Sequence, residues 1–230
     1  MPKILASIKN LEEVKLIINT DIDIIDLKNP SNGALGKLND NDIKIITEYV
    51  NKKKLTSSTI GDLPNDIRLI SENVKKISTT KVDFIKIGVY DVKYINTLCS
   101  INSLKKLIAV FFADRFLPNE NDLTKIKNSG YYGVMIDTSK KNEGNIFDYT
   151  NINNLNIFIN KAKELKLLTG IAGSVNETHI DKIIKLNPNY VGFRGALCEN
   201  KSIRSTNISK KNVINIINLM NHSKNLSMSA

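Results

Sequence analysis

A chain of 230 residues, 41% of them hydrophobic, can bury one sizeable core, and none of its apolar runs approaches the roughly 18 residues of a membrane span. The formal net charge is +10, but the basic residues are scattered and do not gather with aromatic side chains on one helix, as a nucleic-acid-binding face requires. Two cysteines are too few for a disulfide framework and have no metal-ligand spacing. We therefore expect a single-domain cytoplasmic protein that binds neither a membrane nor nucleic acid.

Short apolar segments with strand and helix patterns alternate along the whole chain. Turn sequences rich in Gly, Pro, Asn and Ser separate them. In chain order, the predicted elements are strand 3–8, helix 11–19, strand 21–27, helix 40–50, strand 54–59, helix 66–78, strand 82–88, helix 91–99, strand 107–112, helix 123–128, strand 131–137, helix 152–165, strand 168–172, helix 178–186, strand 189–193 and helix 209–220.

Eight strand-then-helix units with short connections indicate parallel strands joined by right-handed crossovers. A single (β/α)8 TIM barrel over residues 1–221 is the simplest fold, with a disordered tail at 222–230. An open doubly wound sheet is the alternative, but no Gly-x-Gly-x-x-Gly loop follows the first strand to favour it. The longest insertion, 139–148, is a candidate lid over the mouth.

Polar residues stand at or just past the predicted strand ends, which a barrel of parallel strands brings to one face. They include two lysines and a carboxylate, an unusual density for a structural rim. The candidates of this group are Ser7, Lys28, Thr59, Asp62, Lys86, Asp114, Asp137, Ser174 and Arg194.

The two lysines suggest covalent chemistry. Burial and a second nearby ammonium both lower the pKa of a lysine, and a neutral amine can attack a carbonyl to form a Schiff base. One of Lys28 and Lys86 is then the nucleophile, and the other, or Asp137, moves protons. Without such partners each lysine would extend to solvent or pair with an acid.

Phosphate binding is predicted at the loops after the seventh and eighth strands, where such barrels often hold phosphate on backbone amides. Gly173 and Ser174 form the first loop, and Arg194 with Gly195 begins the second, where the arginine can supply charge. No metal site is predicted, because His179 and His222 have no paired ligand at a suitable spacing.

Six stretches in order over nearly the whole chain resemble the (5-formylfuran-3-yl)methyl phosphate synthase family, whose enzymes make the furan precursor of methanofuran. The chain departs from the family pattern at 199–204, where the glycines typical of that loop are absent. The similar stretches are Asp26 to Gly36, Ser58 to Pro64, Phe84 to Tyr90, Asp137 to Lys141, Ile171 to Ser174 and Val191 to Cys198.

The resemblance implies a (β/α)8 barrel and a carbon–oxygen lyase that joins two glyceraldehyde 3-phosphates, one first isomerised to the ketone, with release of phosphate and water. It makes Lys28 the Schiff-base lysine, Lys86 the proton acceptor, and Asp137 and Lys141 essential groups, although the adjacent Lys140 leaves the last position open by one residue. An enamine attacks the second aldehyde, and no metal or redox cofactor is needed. A triose phosphate is the expected partner, and a homo-oligomer is compatible with the family.

Two other classes of function stay open at this point. A different Schiff-base aldolase or a triose or sugar-phosphate isomerase would use the same barrel mouth. A basic nucleic-acid-binding protein would instead need a contiguous positive face.

Overall fold

The eight predicted strands form one closed parallel barrel in sequence order in a computed structural model, which describes residues 1–141 and 143–228, with side chains through residue 222. The single (β/α)8 fold is therefore confirmed. The strands are β1 Lys3–Ile8, β2 Ile24–Leu27, β3 Leu55–Thr59, β4 Phe84–Val89, β5 Lys106–Phe112, β6 Gly133–Asp137, β7 Leu168–Ile171 and β8 Tyr190–Phe193.

Helices surround the barrel and follow the strands along the chain. Many begin at an asparagine, whose side-chain oxygen accepts a hydrogen bond from a first-turn N–H and stabilises the helix by about 1 kcal/mol. The helices are α1 Leu11–Ile17, α2 Asp40–Val50, α3 Ile67–Ser78, α4 Lys93–Leu98, α5 Glu120–Asn128, α6 Ile146–Tyr149, α7 Ile152–Glu164, α8 Ile180–Leu186 and α9 Lys210–Met228.

Two apolar layers result from the alternation of side chains along the strands. Outward side chains such as Ile25, Ile85 and Val191 pack against the helices in the larger core. Inward side chains fill the base of the barrel with a smaller cluster, which includes Phe84 and Tyr190. The base of the barrel interior is thus filled almost completely by apolar side chains.

The structure corrects two helix boundaries. Helix α5 begins at Glu120, three residues before the predicted start at Leu123, because Asn119 and Asp122 form a capping box. Helix α9 continues to Met228, where the sequence predicts an end at Met220 and a disordered tail from 222. Residues 229–230 of that tail lie outside the described residues.

The predicted lid contains the short helix α6 and is tied to the barrel on both sides. Asp114 accepts hydrogen bonds from the Ser139 N–H at 2.6 Å and the Lys140 N–H at 3.0 Å, and the Ile146 N–H donates to the Gly173 carbonyl at 2.9 Å. Residue 142 of the lid lies outside the described residues. No helix in the described part of the chain is both long and apolar enough to cross a membrane.

Candidate active site

The upper layer of the barrel interior is polar, in contrast to the apolar base. Two residues beyond the apolar base, the inward side chains of several strands are charged or carry a hydroxyl group. They are Ser7, Asp26, Ser57, Lys86 and Asp137. All five are buried, so their charges and hydrogen bonds must be satisfied by one another or by a ligand.

Four of these side chains, those of Ser7, Asp26, Lys86 and Asp137, line a cavity of about 500 Å³ at the carboxyl ends of the strands. Such a volume falls in the range of roughly 300–1,000 Å³ that encloses drug-sized ligands, and two triose phosphates together are no larger than such a ligand. The four predicted catalytic residues, Lys28, Lys86, Asp137 and Lys141, all line it. The barrel therefore brings together residues that are up to 113 positions apart in the sequence, from 28 to 141.

Lys86 belongs to a tight buried pair in the middle of the barrel. Its Nζ lies 2.5 Å from Asp26 Oδ1, and the same oxygen accepts a hydrogen bond from Ser57 Oγ at 2.6 Å. The three side chains come from β4, β2 and β3, which are neighbours in the sheet. Lys86 and Ser57 thus together hold the Asp26 carboxylate in place.

Asp137 at the end of β6 holds a second arrangement with two lysines. Lys141 Nζ donates a short hydrogen bond to Asp137 Oδ1, and Lys28 Nζ lies 3.7 Å from Oδ2. Burial alone would raise the pKa of Asp137, but the Lys141 and Lys28 charges outweigh it and lower that pKa. Asp137 is consequently a carboxylate at neutral pH.

Lys28 stands one residue beyond β2, and its amine lies farther from a carboxylate oxygen than the amines of Lys86 and Lys141 do. Its backbone N–H donates to the Ile8 carbonyl at 2.9 Å, which continues the β1–β2 pairing and directs the side chain inward. Burial lowers the pKa of Lys28 from 10.5 to about 7; the Lys141 charge adds to this shift, whereas the Asp137 charge opposes it. A large fraction of Lys28 is therefore a neutral amine at neutral pH, able to attack a carbonyl.

With this geometry in place, comparison with known sequences identifies the family. The sequence model of 4-HFC-P synthase matches residues 4–217. The chain belongs to the 4-HFC-P synthase family. The resemblance found in the six stretches is thus confirmed.

Curated relatives of the family are similar over most of this chain. A (5-formylfuran-3-yl)methyl phosphate synthase from Methanococcus aeolicus is 29% identical, over 94% of this chain and 98% of its own. The enzyme of that name from Methanocaldococcus jannaschii is 31% identical, over 85% of this chain and 90% of its own. Membership of a family of such synthases makes the chain an enzyme of the lyase type.

Solved structures support the barrel and nothing finer. The putative copper homeostasis protein CutC from Streptococcus agalactiae aligns with a TM-score of 0.68 at 16% identity, covering 84% of this chain and 98% of its own. A phosphoribosyl anthranilate isomerase from Thermus thermophilus aligns at 0.62 and 10% identity, covering 99% and 100% of the two chains. At such identities the likeness concerns the fold alone.

In this 4-HFC-P synthase family member, the predicted phosphate loops do line the cavity. Gly173 and Ser174 border it after β7, Gly195 borders it after β8, and Ser7 reaches it from β1. Gly173 has φ +105°, and a Cβ there would lie 2.9 Å from the Thr138 side chain, so the turn favours glycine.

Arg194 also borders the cavity, but its guanidinium is fully used inside the protein. Its five N–H groups donate to the Ser7, Arg204 and Thr206 carbonyls and, through both Nη atoms, to the Glu13 carboxylate. The structure therefore does not support the prediction that the Arg194 side chain supplies charge to a phosphate. It instead holds β8, β1 and the loop 199–208 together.

Three other predicted binding residues brace loops and do not line the cavity. Thr59 Oγ1 donates to the Gly36 carbonyl at 3.1 Å, and Asp62 accepts the Leu35 N–H at 2.8 Å, so both hold the loop that follows Lys28. Asp114 anchors the start of the 139–148 segment. Polar groups at strand ends are here used to satisfy neighbouring backbone groups.

The sequence analysis missed several cavity residues, among them the charged residues Asp26 and Arg204. The signal for Asp26 was present: it lies two positions before Lys28 on the same strand, and alternation places both on the inner side. Arg204 lies in an irregular loop, where no periodic pattern of side chains predicts which residues face the cavity. Among the residues that the structure describes, no group of three or more His, Cys, Asp or Glu side chains is arranged to hold a metal ion.

Proposed function

We propose that this enzyme condenses two molecules of glyceraldehyde 3-phosphate into (5-formylfuran-3-yl)methyl phosphate through a Schiff base on Lys28, for methanofuran biosynthesis. The observation that carries the proposal is the Lys28 amine, whose pKa is about 7 in a cavity that also holds two lysine–carboxylate pairs. Family membership supports the product, and the cavity chemistry supports the route.

The first step is attack of the neutral Lys28 Nζ on the aldehyde carbon of one triose, with loss of water to give a protonated imine. The imine acidifies the adjacent carbon, from which a base removes a proton. The resulting enamine expels the phosphate on the third carbon, so the carbon–oxygen bond breaks and phosphate leaves with its electron pair.

The connectivity of the product defines the second triose. One ring carbon of the product bears the phosphomethyl group. That carbon descends from a carbonyl carbon with a phosphomethyl group on one side and a hydroxymethyl group on the other. The second triose is therefore the ketone isomer. The third carbon of the Lys28 adduct attacks this ketone rather than a second aldehyde. Ring closure and hydrolysis of the imine then release the furan, and the atoms balance with one phosphate and two waters lost.

Proton transfer falls to Lys86 in this proposal. Its amine lies in the same cavity as Lys28, and contact with Asp26 at 2.5 Å keeps it oriented. The isomerisation and the imine step both need a base at the carbon next to a carbonyl, so one positioned group can serve both.

Lys141 is assigned to the departing phosphate. Its ammonium is held by Asp137, whose other oxygen lies 3.7 Å from Lys28 Nζ, and a fixed positive charge stabilises the anion that forms when the carbon–oxygen bond breaks. Lys140 is exposed and pairs with Glu143 at 2.6 Å, so it is directed away from this chemistry. Asp137 orients Lys141 and later stabilises the Lys28 imine cation.

Borohydride trapping tests the Schiff base. Incubation with glyceraldehyde 3-phosphate and borohydride should give a reduced adduct that peptide mass spectrometry places on Lys28, and Lys28→Ala should give none. Lys106→Ala is the matched control, because Lys106 begins β5 at the opposite end of the barrel. If Lys28→Ala still releases phosphate from the triose at the wild-type rate, the proposal is wrong.

A further inference from the structure

The positive side chains around the cavity differ in whether a carboxylate neutralises them. Most have a carboxylate partner within ion-pair distance, and these pairs are Lys86 with Asp26, Lys141 and Lys28 with Asp137, Lys201 with Glu177, and Arg194 with Glu13. Within residues 1–141 and 143–222, Arg204 has no carboxylate at that distance. The cavity therefore carries one uncompensated guanidinium.

Arg204 lines the cavity, and its Nε–H is buried. Among the residues whose side chains the structure describes, this N–H has no hydrogen-bond acceptor. Burial lowers the pKa of Arg204, and the nearby Asp137 charge opposes that shift without forming a contact. Buried donors in native proteins almost always have an acceptor, so a donor left open at the wall of a cavity indicates one supplied by a ligand.

The backbone that carries Arg204 is fixed. Arg194 Nε donates to the Arg204 carbonyl at 2.8 Å and Arg194 Nη2 to the Thr206 carbonyl at 2.7 Å. Glu13 accepts the Ile208 N–H at 3.1 Å in the same cluster. Arg194 is thus a positioning residue, and Arg204 is presented to the cavity in a prepared orientation.

We propose that Arg204 binds a phosphate monoester group of the substrate, as the guanidinium that the cavity contributes in place of Arg194. The ligand class follows from the donor: a planar guanidinium with free N–H groups matches the oxygens of a phosphate dianion in a bidentate way. The identity of the phosphate-bearing molecule rests on the proposed function. The presence of an anion site does not.

Binding of inorganic phosphate to the full chain tests the site directly. Isothermal titration should give a Kd that is roughly 10- to 100-fold higher for Arg204→Gln than for wild type, since hydrogen bonds to a charged group are lost. Arg115→Gln removes the same charge from an exposed side chain on the same face and should leave the Kd unchanged. Equal Kd values for Arg204→Gln and wild type, or no phosphate binding by wild type, would overturn the inference.

A second readout separates phosphate recognition from imine chemistry. Borohydride trapping on Lys28 in Arg204→Gln should be slowed more for glyceraldehyde 3-phosphate than for unphosphorylated glyceraldehyde. A small slowing of both is expected, because loss of the Arg204 charge raises the pKa of Lys28. Equal slowing of both aldehydes would contradict a phosphate contact. If wild type traps neither aldehyde but Arg204→Gln still weakens phosphate binding, the proposed function fails while the anion site stands.

The fold of the variant must be checked by its thermal unfolding midpoint. Should Arg204→Gln unfold, Arg204→Lys decides, because it retains the charge and removes the fork geometry. We expect a severalfold higher Kd for phosphate in that variant, and a wild-type Kd would overturn the bidentate contact.

Discussion

At the scale of single residues, the three lysines Lys28, Lys86 and Lys141 of the cavity differ in how close their carboxylate partners lie. Asp26 contacts Lys86 and Asp137 contacts Lys141, whereas Lys28 lies 3.7 Å from the far oxygen of Asp137. The sequence predicts that lysines and a carboxylate share one mouth, but not which carboxylate contacts which lysine, because each partner comes from a different strand. Only the closed barrel shows which carboxylate lies beside each amine.

The lowered pKa of Lys28 predicts the pH dependence of the reaction. Only the neutral amine attacks, so kcat/KM for triose phosphate should rise about tenfold per pH unit below the pKa of Lys28 and level off above about pH 7. Initial rates of phosphate release across this range measure it. A profile that still rises steeply above pH 9 would indicate an ordinary lysine pKa of about 10.4 and contradict the assignment.

Lys141 and Lys140 form a natural test pair. Lys141→Gln should lower kcat by roughly 10²- to 10⁴-fold, whereas Lys140→Gln should change it by less than about twofold, since that side chain is at the surface. Loss of the Lys141 charge should also raise the pKa of Lys28, so the inflection in the pH profile should move upward. Similar losses of kcat in the two variants would refute the assignment of the role to Lys141 instead of Lys140.

At the scale of secondary-structure elements, the order of the strands and the inward alternation could be predicted from the sequence. The uses of the strand-end polar residues could not, because Thr59, Asp62 and Asp114 satisfy backbone groups of loops whose paths have no period. The same limit applies to Arg194, whose donors are all taken by carbonyls and a carboxylate far away in the sequence. A charged residue at a strand end can therefore bind a ligand or hold the loops that do.

The buried pair of Glu13 on α1 and Arg194 after β8 is the clearest example of such a brace. Glu13→Gln leaves the Arg194 charge without its counter-ion, so the free energy of unfolding should fall by about 3–5 kcal/mol. Urea unfolding measures it, and Glu12→Gln on the same helix is the exposed control. We also expect a higher KM for triose phosphate in Glu13→Gln, because the loop of Arg204 loosens; equal stability of the two variants would contradict the brace.

At the scale of the whole molecule, lysines at the ends of helices contribute to the net charge of +10, in addition to the lysines of the site. Lysines occupy the last turns of several helices, where they interact favourably with the negative end of the helix dipole. Because the helices run antiparallel to the strands, these lysines lie on the face opposite the cavity; they include Lys75, Lys76, Lys125, Lys127, Lys161 and Lys163.

We propose that one barrel carries out the whole conversion with its own side chains. Mass spectrometry of the products formed from glyceraldehyde 3-phosphate alone tests it most directly, together with the phosphate released. We predict (5-formylfuran-3-yl)methyl phosphate as the product, with one phosphate released for every two trioses consumed. Accumulation of the ketone isomer or of a six-carbon bisphosphate, with no furan and no released phosphate, would contradict the account.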